Sequence, residues 1–273
     1  MVTLGSVFLR VKSRDLNYLH LKSAVPFMPD EKIKIGSVSY LNAKPLLYSF
    51  ENGGMNDQLE WELDHPAEIA GNLIRKEITI GLVPVAIIPQ LQESYILGNF
   101  CIGAVQEVAS VCLFSEVPMK DITAILLDYQ SRTSVALLKI LLKNYWKINP
   151  SLLPSSPGYE AKIGGTTAGL VIGDRAFEQR LKQTYCYDLA AAWIDHTGLP
   201  FVFAAWISNK KMPEDFIAAF DFHNSKGLLA IPELAKRYSL PSYDINRYFT
   251  QNISYLLDKP KREGLQLFLS LLS

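Results

Sequence analysis

Apolar residues along the chain fall into short clusters separated by polar turns, and the spacing within each cluster predicts an element. Ile33, Ile35 and Val38 predict a short buried strand, with Ser37, Ser39, Tyr40 and Asn42 crowding polar side chains about its end. Pro45 suits the first turn of a helix, where its missing N–H costs nothing. That helix, 45–50, stops at Gly53-Gly54. Residues 59–63 alternate as a second strand, Pro66 opens a helix over 67–75, and 78–83 form a third strand that Pro84 ends. The order β-α-β-α-β predicts a parallel sheet wrapped by helices.

The rhythm then changes. Residues 102–104 and 108–114 are apolar runs with no helix between them, and 122–127 is another strand ending at Asp128. Val135, Leu138, Leu142 and Trp146 recur at helical spacing behind Ser131-Arg132-Thr133-Ser134, where Ser131 or Thr133 can cap the helix. Residues 168–172 predict a strand ending in Gly173-Asp174, 187–197 a helix, and 201–207 an aromatic and β-branched strand. From Glu214 the pattern is helical throughout, with segments at 216–222, 231–238, 243–252 and 261–272. This predicts an α/β protein of two lobes joined by two crossings, 108–114 outward and 201–207 back. The expected division is an N-terminal extension over 1–31, one lobe from 32–108 with 207–273, and a second lobe over 109–206. Residues 1–31 show no period, and Met28 is an alternative start.

Composition narrows the partners. Lys+Arg and Asp+Glu number 27 each, so no global field draws nucleic acid or anionic lipid. No apolar run approaches the roughly 18 residues of a membrane span, and no secretion signal is visible at the N-terminus. Cys101, Cys112 and Cys186 match no zinc spacing and read best as buried thiols in a reducing cytoplasm. No metal site and no cofactor is expected. Gly-x-Ser-x-Gly, Walker, His-Glu-x-x-His and dinucleotide fingerprints are absent.

Candidate chemistry sits where strands end: Ser39 to Asn42, Asp128 to Ser134, and Gly173-Asp174. Facing lobes would bring all three to one cleft, the usual place for a ligand. A helix N-terminus at Ser131 offers free N–H groups and a positive dipole end to a carboxylate, and Arg132 adds a fork of donors. Equally, Ser131 and Thr133 are only caps and Arg132 is only solvated. Ser110 reads as a core hydroxyl, Asp174 as a turn residue, and Trp193 and Trp206 as core. The histidines, His20, His65, His196 and His223, stand in none of the clusters.

Ser39-Tyr40-Leu41-Asn42-Ala43-Lys44-Pro45-Leu46 resembles the signature of the chorismate dehydratases of the futalosine route to menaquinone. Gly81-Leu82-Val83-Pro84-Val85-Ala86, Ser110-Val111, the run from Ser131 to Leu138, Ile172-Gly173-Asp174 and the run from Thr197 to Trp206 are similar to that family too, in the same order. The resemblance implies a two-lobed periplasmic-binding-protein-like type 2 fold in a cytoplasmic lyase. The implied reaction turns chorismate into 3-[(1-carboxyvinyl)oxy]benzoate and water. It implies that Asn42 and Ser110 touch the substrate as catalytic contacts, and that the turn of Ser131, Arg132, Thr133 and Ser134 helps hold a carboxylate; Ser39, Tyr40 and Asp174, from the strand-end clusters, are further expected substrate-binding positions. The expected proton acceptor is the substrate's own enolpyruvyl carboxylate, with Asp174 as the protein alternative. Two rivals are 1,4-dihydroxy-6-naphthoate synthase, expected to need a histidine base, and a non-catalytic carboxylate-binding protein.

Overall fold

The computed structural model describes residues 31–38, 40–240 and 242–272. The expected extension, Met28 and Ser39 lie outside the described residues, apart from Glu31 at the extension's end.

The strands are β1 (Ile33–Val38), β2 (Leu59–Asp64), β3 (Ile80–Pro84), β4 (Tyr95–Ala104), β5 (Val111–Ser115), β6 (Ala124–Leu127), β7 (Ser151–Pro154), β8 (Thr167–Ile172), β9 (Tyr185–Asp188), β10 (Phe201–Ser208) and β11 (Ser254–Leu256). They form two mixed sheets, ordered β11-β4-β10-β3-β1-β2 and β7-β6-β8-β5-β9. In the first, β1 pairs parallel with β2 and β3, while β10 runs antiparallel between β3 and β4. In the second, β6 is parallel to β7 and β8, while β5 is antiparallel to β8 and β9.

The helices are α1 (Lys44–Glu51), α2 (Pro66–Ile74), α3 (Arg132–Leu141), α4 (Arg175–Gln179), α5 (Leu189–Thr197), α6 (Glu214–Leu229), α7 (Ile231–Arg237), α8 (Ile245–Arg247) and α9 (Lys259–Ser270). α3 and α8 each run on into a π-helical turn, Leu142–Trp146 and Tyr248–Asn252. None of the described helices is long and apolar enough to cross a membrane.

Two expectations need correction. The predicted crossings are not crossings. β5 lies within the second sheet, and β10 pairs along its length with β3 and β4 in the first. The chain passes between sheets in the short turns at 105–110 and 198–200. Continuous apolar runs mark strands buried on both faces, and an apolar run alone does not distinguish such a strand from a linker. The expected second lobe, 109–206, therefore includes most of a strand that belongs to the first sheet. The chain after Glu214 is also not wholly helical, because β11 pairs with the edge strand β4.

The first core holds Trp206, Phe50, Phe220 and Trp61, with Phe50–Phe220 and Trp206–Phe220 centroids 5.0 Å apart. Buried Trp206 satisfies its N–H by donating to Asn224 Oδ1 at 2.9 Å. Trp193 is fully buried against Phe201, so both tryptophans are core residues as read. Gly227 allows α6 to cross α1 closely, since a Cβ there would lie 1.7 Å from the Pro45 carbonyl oxygen. That crossing fixes α1, and with it the turn that carries Asn42. Cys101 and Cys112 are buried as expected, but Cys186 is exposed on the edge strand β9.

Candidate active site

The second-lobe side of the site is the start of α3. Ser131 caps it in extended conformation, its Oγ accepting from the Ser134 N–H at 3.0 Å. The preceding loop is held by buried Asp128. Its Oδ1 accepts from the Gln130 N–H at 2.8 Å, and its Oδ2 accepts from Tyr159 Oη at 2.8 Å and from Arg175 Nη2 at 2.6 Å. Burial pushes the Asp128 carboxyl above the ordinary aspartate range, and Arg175 pulls it back. Arg175 also donates to Gln130 Oε1 at 3.0 Å and pairs with Glu160. This cation is therefore committed to the loop rather than free for a ligand.

The first-lobe side is a single 3-10 turn, Leu41–Ala43, leading into α1 with Pro45 in its first turn. Tyr40 donates across the cleft to Gln130 Oε1 at 2.6 Å. Burial, then the charge of Asp128, holds its phenol far above the usual tyrosine range. The Thr133 Oγ1 accepts from the Ala86 N–H at 3.1 Å, a second bond between the lobes.

Ser110 follows the outward turn. Ala109 before it is held at φ 64°, a left-handed conformation unusual for a residue with a Cβ. The Asp188 carboxylate accepts from the Val108 and Ala109 N–H groups at 3.2 and 2.8 Å. Arg180 Nε donates to the Ala109 carbonyl at 2.9 Å. Ser110 itself is fully buried, and its Oγ accepts from Tyr248 Oη at 2.8 Å.

Between these two sides lies a cavity with room for water-sized centres over about 70 Å³. Tyr40, Asn42, Ser131, Thr133 and Ser134, all singled out in the sequence, line it. Three predicted residues do not. Arg132 points away and donates to Gln90 Oε1 at 3.1 Å. Gly173 reaches the cavity while Asp174 stands behind it, its carboxyl raised by burial and one oxygen unpartnered. Ser110 stands behind its neighbours Val108 and Val111, which do line it. Sequence reading missed Gln130, which bridges the lobes, and Tyr248. Gln130 lies inside the polar cluster already singled out, so its position was available as a signal. Tyr248 sits in a segment read only as a helix and gave none.

Among the described residues no charged side chain lines the cavity. An anion there meets neutral donors: the first-turn N–H groups of α3 and the hydroxyls of Ser131, Thr133 and Ser134.

The architecture is that of the two-lobed binding proteins. A Candida albicans gene product described as having the generic periplasmic binding protein fold superposes with TM-score 0.63 at 9% identity, covering 89% of this chain and 90% of that one. The periplasmic aliphatic sulphonate binding protein of Escherichia coli superposes with TM-score 0.59 at 15% identity, over 89% and 86%. The chain belongs to the menaquinone biosynthesis family, whose model matches residues 33–273. The chorismate dehydratase of Thermus thermophilus is 29% identical over 233 residues, 74% of this chain and 83% of that protein. That of Campylobacter jejuni is 25% identical over 246 residues, 85% of this chain and 94% of that protein.

Proposed function

We propose that this protein is a chorismate dehydratase of menaquinone biosynthesis, a hydro-lyase that converts chorismate to 3-[(1-carboxyvinyl)oxy]benzoate and water. The observation that carries the reading is the cavity itself. It joins an apolar wall suited to a ring with a helix N-terminus suited to a carboxylate, and no histidine lines it among the described residues.

Chorismate carries a carboxylate on its ring and another on its enolpyruvyl arm. In the reaction one ring C–H bond breaks and its electrons enter the ring. The C–O bond to the ring hydroxyl breaks, hydroxide leaves, and the released proton completes water. Aromatisation supplies the driving force, so the protein has mainly to position the substrate and ease departure of the hydroxyl. Asn42, which lines the cavity, acts on the substrate's oxygens, and the α3 N-terminus takes a carboxylate, while Ser110 stands behind the wall. The proton goes to the substrate's enolpyruvyl carboxylate. Asp174 stands behind the cavity wall, which supports the substrate as its own base. The test is chromatography of chorismate after incubation with purified protein. Formation of the enolpyruvyl benzoate is the expected result, and unchanged chorismate would reject the reading.

A further inference from the structure

Gln130 ends the loop that leads into α3, and it lines the cavity next to the Ser131 cap. Its backbone N–H donates to Asp128 Oδ1 at 2.8 Å, which fixes where the side chain starts. Its side-chain oxygen accepts twice, from Tyr40 Oη at 2.6 Å and from Arg175 Nη2 at 3.0 Å. Arg175 decides which way round the amide sits. A guanidinium has five donors and no acceptor, so only the oxygen end of an amide can face it. A flipped amide would set its own N–H groups against those of Arg175. Arg175 is in turn tied down by Asp128 at 2.6 Å and by Glu160.

The NH₂ group is thus the end left for a ligand. Among the described residues the bonds of Gln130 use its backbone N–H and its side-chain oxygen, and none uses the NH₂. The residue is half-buried rather than sealed in the core. Its chain neighbours supply donors of the same kind. The Ser134 N–H is taken by the Ser131 cap. Arg132 and Thr133, the first two residues of α3, have backbone N–H groups with no partner inside the helix. We infer that Gln130 is a substrate-binding residue that sets specificity: Arg175 and Tyr40 turn its amide so that the NH₂ group, with the first-turn N–H groups of α3, takes a carboxylate of the substrate. This deepens the dehydratase reading and rests on it. The selection is by polarity. A carboxylate offers only lone pairs and matches an NH₂ group, whereas a ligand group that must give a hydrogen finds no acceptor there. Arg175 acts on the ligand at one remove, through the neutral amide it orients.

Two variants separate binding from bridging. Gln130→Glu keeps an oxygen for Tyr40 and Arg175 and puts a second, charged acceptor where the NH₂ stood. Gln130→Met keeps the length and loses both polar ends. A donor to a carboxylate makes Gln130→Glu the worse of the two. Affinity for the dianionic product, read by calorimetry at pH 7, should fall on the order of a hundredfold in Gln130→Glu and about tenfold in Gln130→Met. KM for chorismate should rise in the same order with kcat within about threefold, and Gln130→Glu should melt within about 5 °C of wild type. A residue that only bridges the lobes gives the reverse order, with Gln130→Glu near wild type and Gln130→Met weakened, and that order would overturn the inference. So would two variants that both bind as wild type does. A wild type that binds the product but makes none from chorismate rejects the dehydratase reading, and the order of the variants still decides the role of Gln130. A wild type that binds neither dianion overturns both.

Discussion

The two walls of the cavity come from similar sheets and are finished differently. The first lobe presents strand residues, Val38, Leu82, Pro84, Ile102 and Phe203, with Tyr40 and Asn42 at the rim of one turn. The second presents the start of a helix, with Gln130, Ser131, Thr133 and Ser134, beside the strand residues Val111 and Ile172. Strand interiors bury apolar side chains, whereas a helix start leaves N–H groups to be satisfied. The strand residues of both walls thus suit a hydrocarbon ring, and the helix start suits charge. On the proposed reading a small amphiphilic anion lies with its charged end at the helix start, and side chains that bridge the walls, such as Tyr40 and Thr133, report whether the two are joined.

The division of labour can be broken most sharply at Asn42. Asn42→Asp is nearly isosteric, yet it sets a negative charge against a dianion and removes the amide's donor. A lost bond plus repulsion should lower kcat/KM for chorismate on the order of a thousandfold, with circular dichroism unchanged. Activity near wild type would remove Asn42 from the site. Tyr40→Phe removes one bond between the walls, from Tyr40 Oη to Gln130. One net hydrogen bond of about 1 kcal/mol corresponds to roughly a fivefold rise in KM, and steady-state kinetics reads it.

Asp174→Asn should keep turnover within about threefold if the substrate supplies its own base. Abolished turnover with chorismate still bound would make Asp174 the base. The same variant tests the electrostatics. Burial raises the Asp174 pKa in the folded protein, so the folded state favours the protonated form, and this contribution to stability is lost as pH rises through the folded pKa. Asparagine removes the cost of burying the charge. The variant should therefore melt above wild type at pH 7, with the difference vanishing below the ordinary aspartate pKa of about 3.9. The smallest effect belongs to Arg132→Ala. The sequence alone predicts a ten- to hundredfold rise in KM from a lost charge-assisted bond. The guanidinium rests on Gln90 outside the cavity, so a change below about twofold is expected.

The helix start at Ser131 was legible because capping is local chemistry: a serine in extended conformation accepts the Ser134 N–H. The β-α-β-α-β opening was legible because its periods are clean. β4 was read only at its end, 102–104, because Gly98 at φ 70° interrupts the run and the β10 register shifts nearby. The direction of Arg132 was not legible, since a helix start fixes where a side chain begins and not where a long one ends. Tyr248 was invisible for another reason. Its partner Ser110 lies 138 residues earlier, and no local pattern marks a buried hydroxyl with so distant a partner.

The turn before Ser110 also sets an order of events in folding. Alanine does not hold a left-handed conformation by itself. Here it is held by Asp188, 79 residues further along, after the whole second sheet has been threaded. Contacts of such separation close after local ones, because the loop entropy comes first. The nascent chain can therefore cap α3 and lay down β1 to β3 while Ala109 still samples ordinary backbone conformations. Only when β9 docks does the turn click over and the Ser110 hydroxyl take its final direction, so a molecule halted before that step would have much of its secondary structure and no working centre.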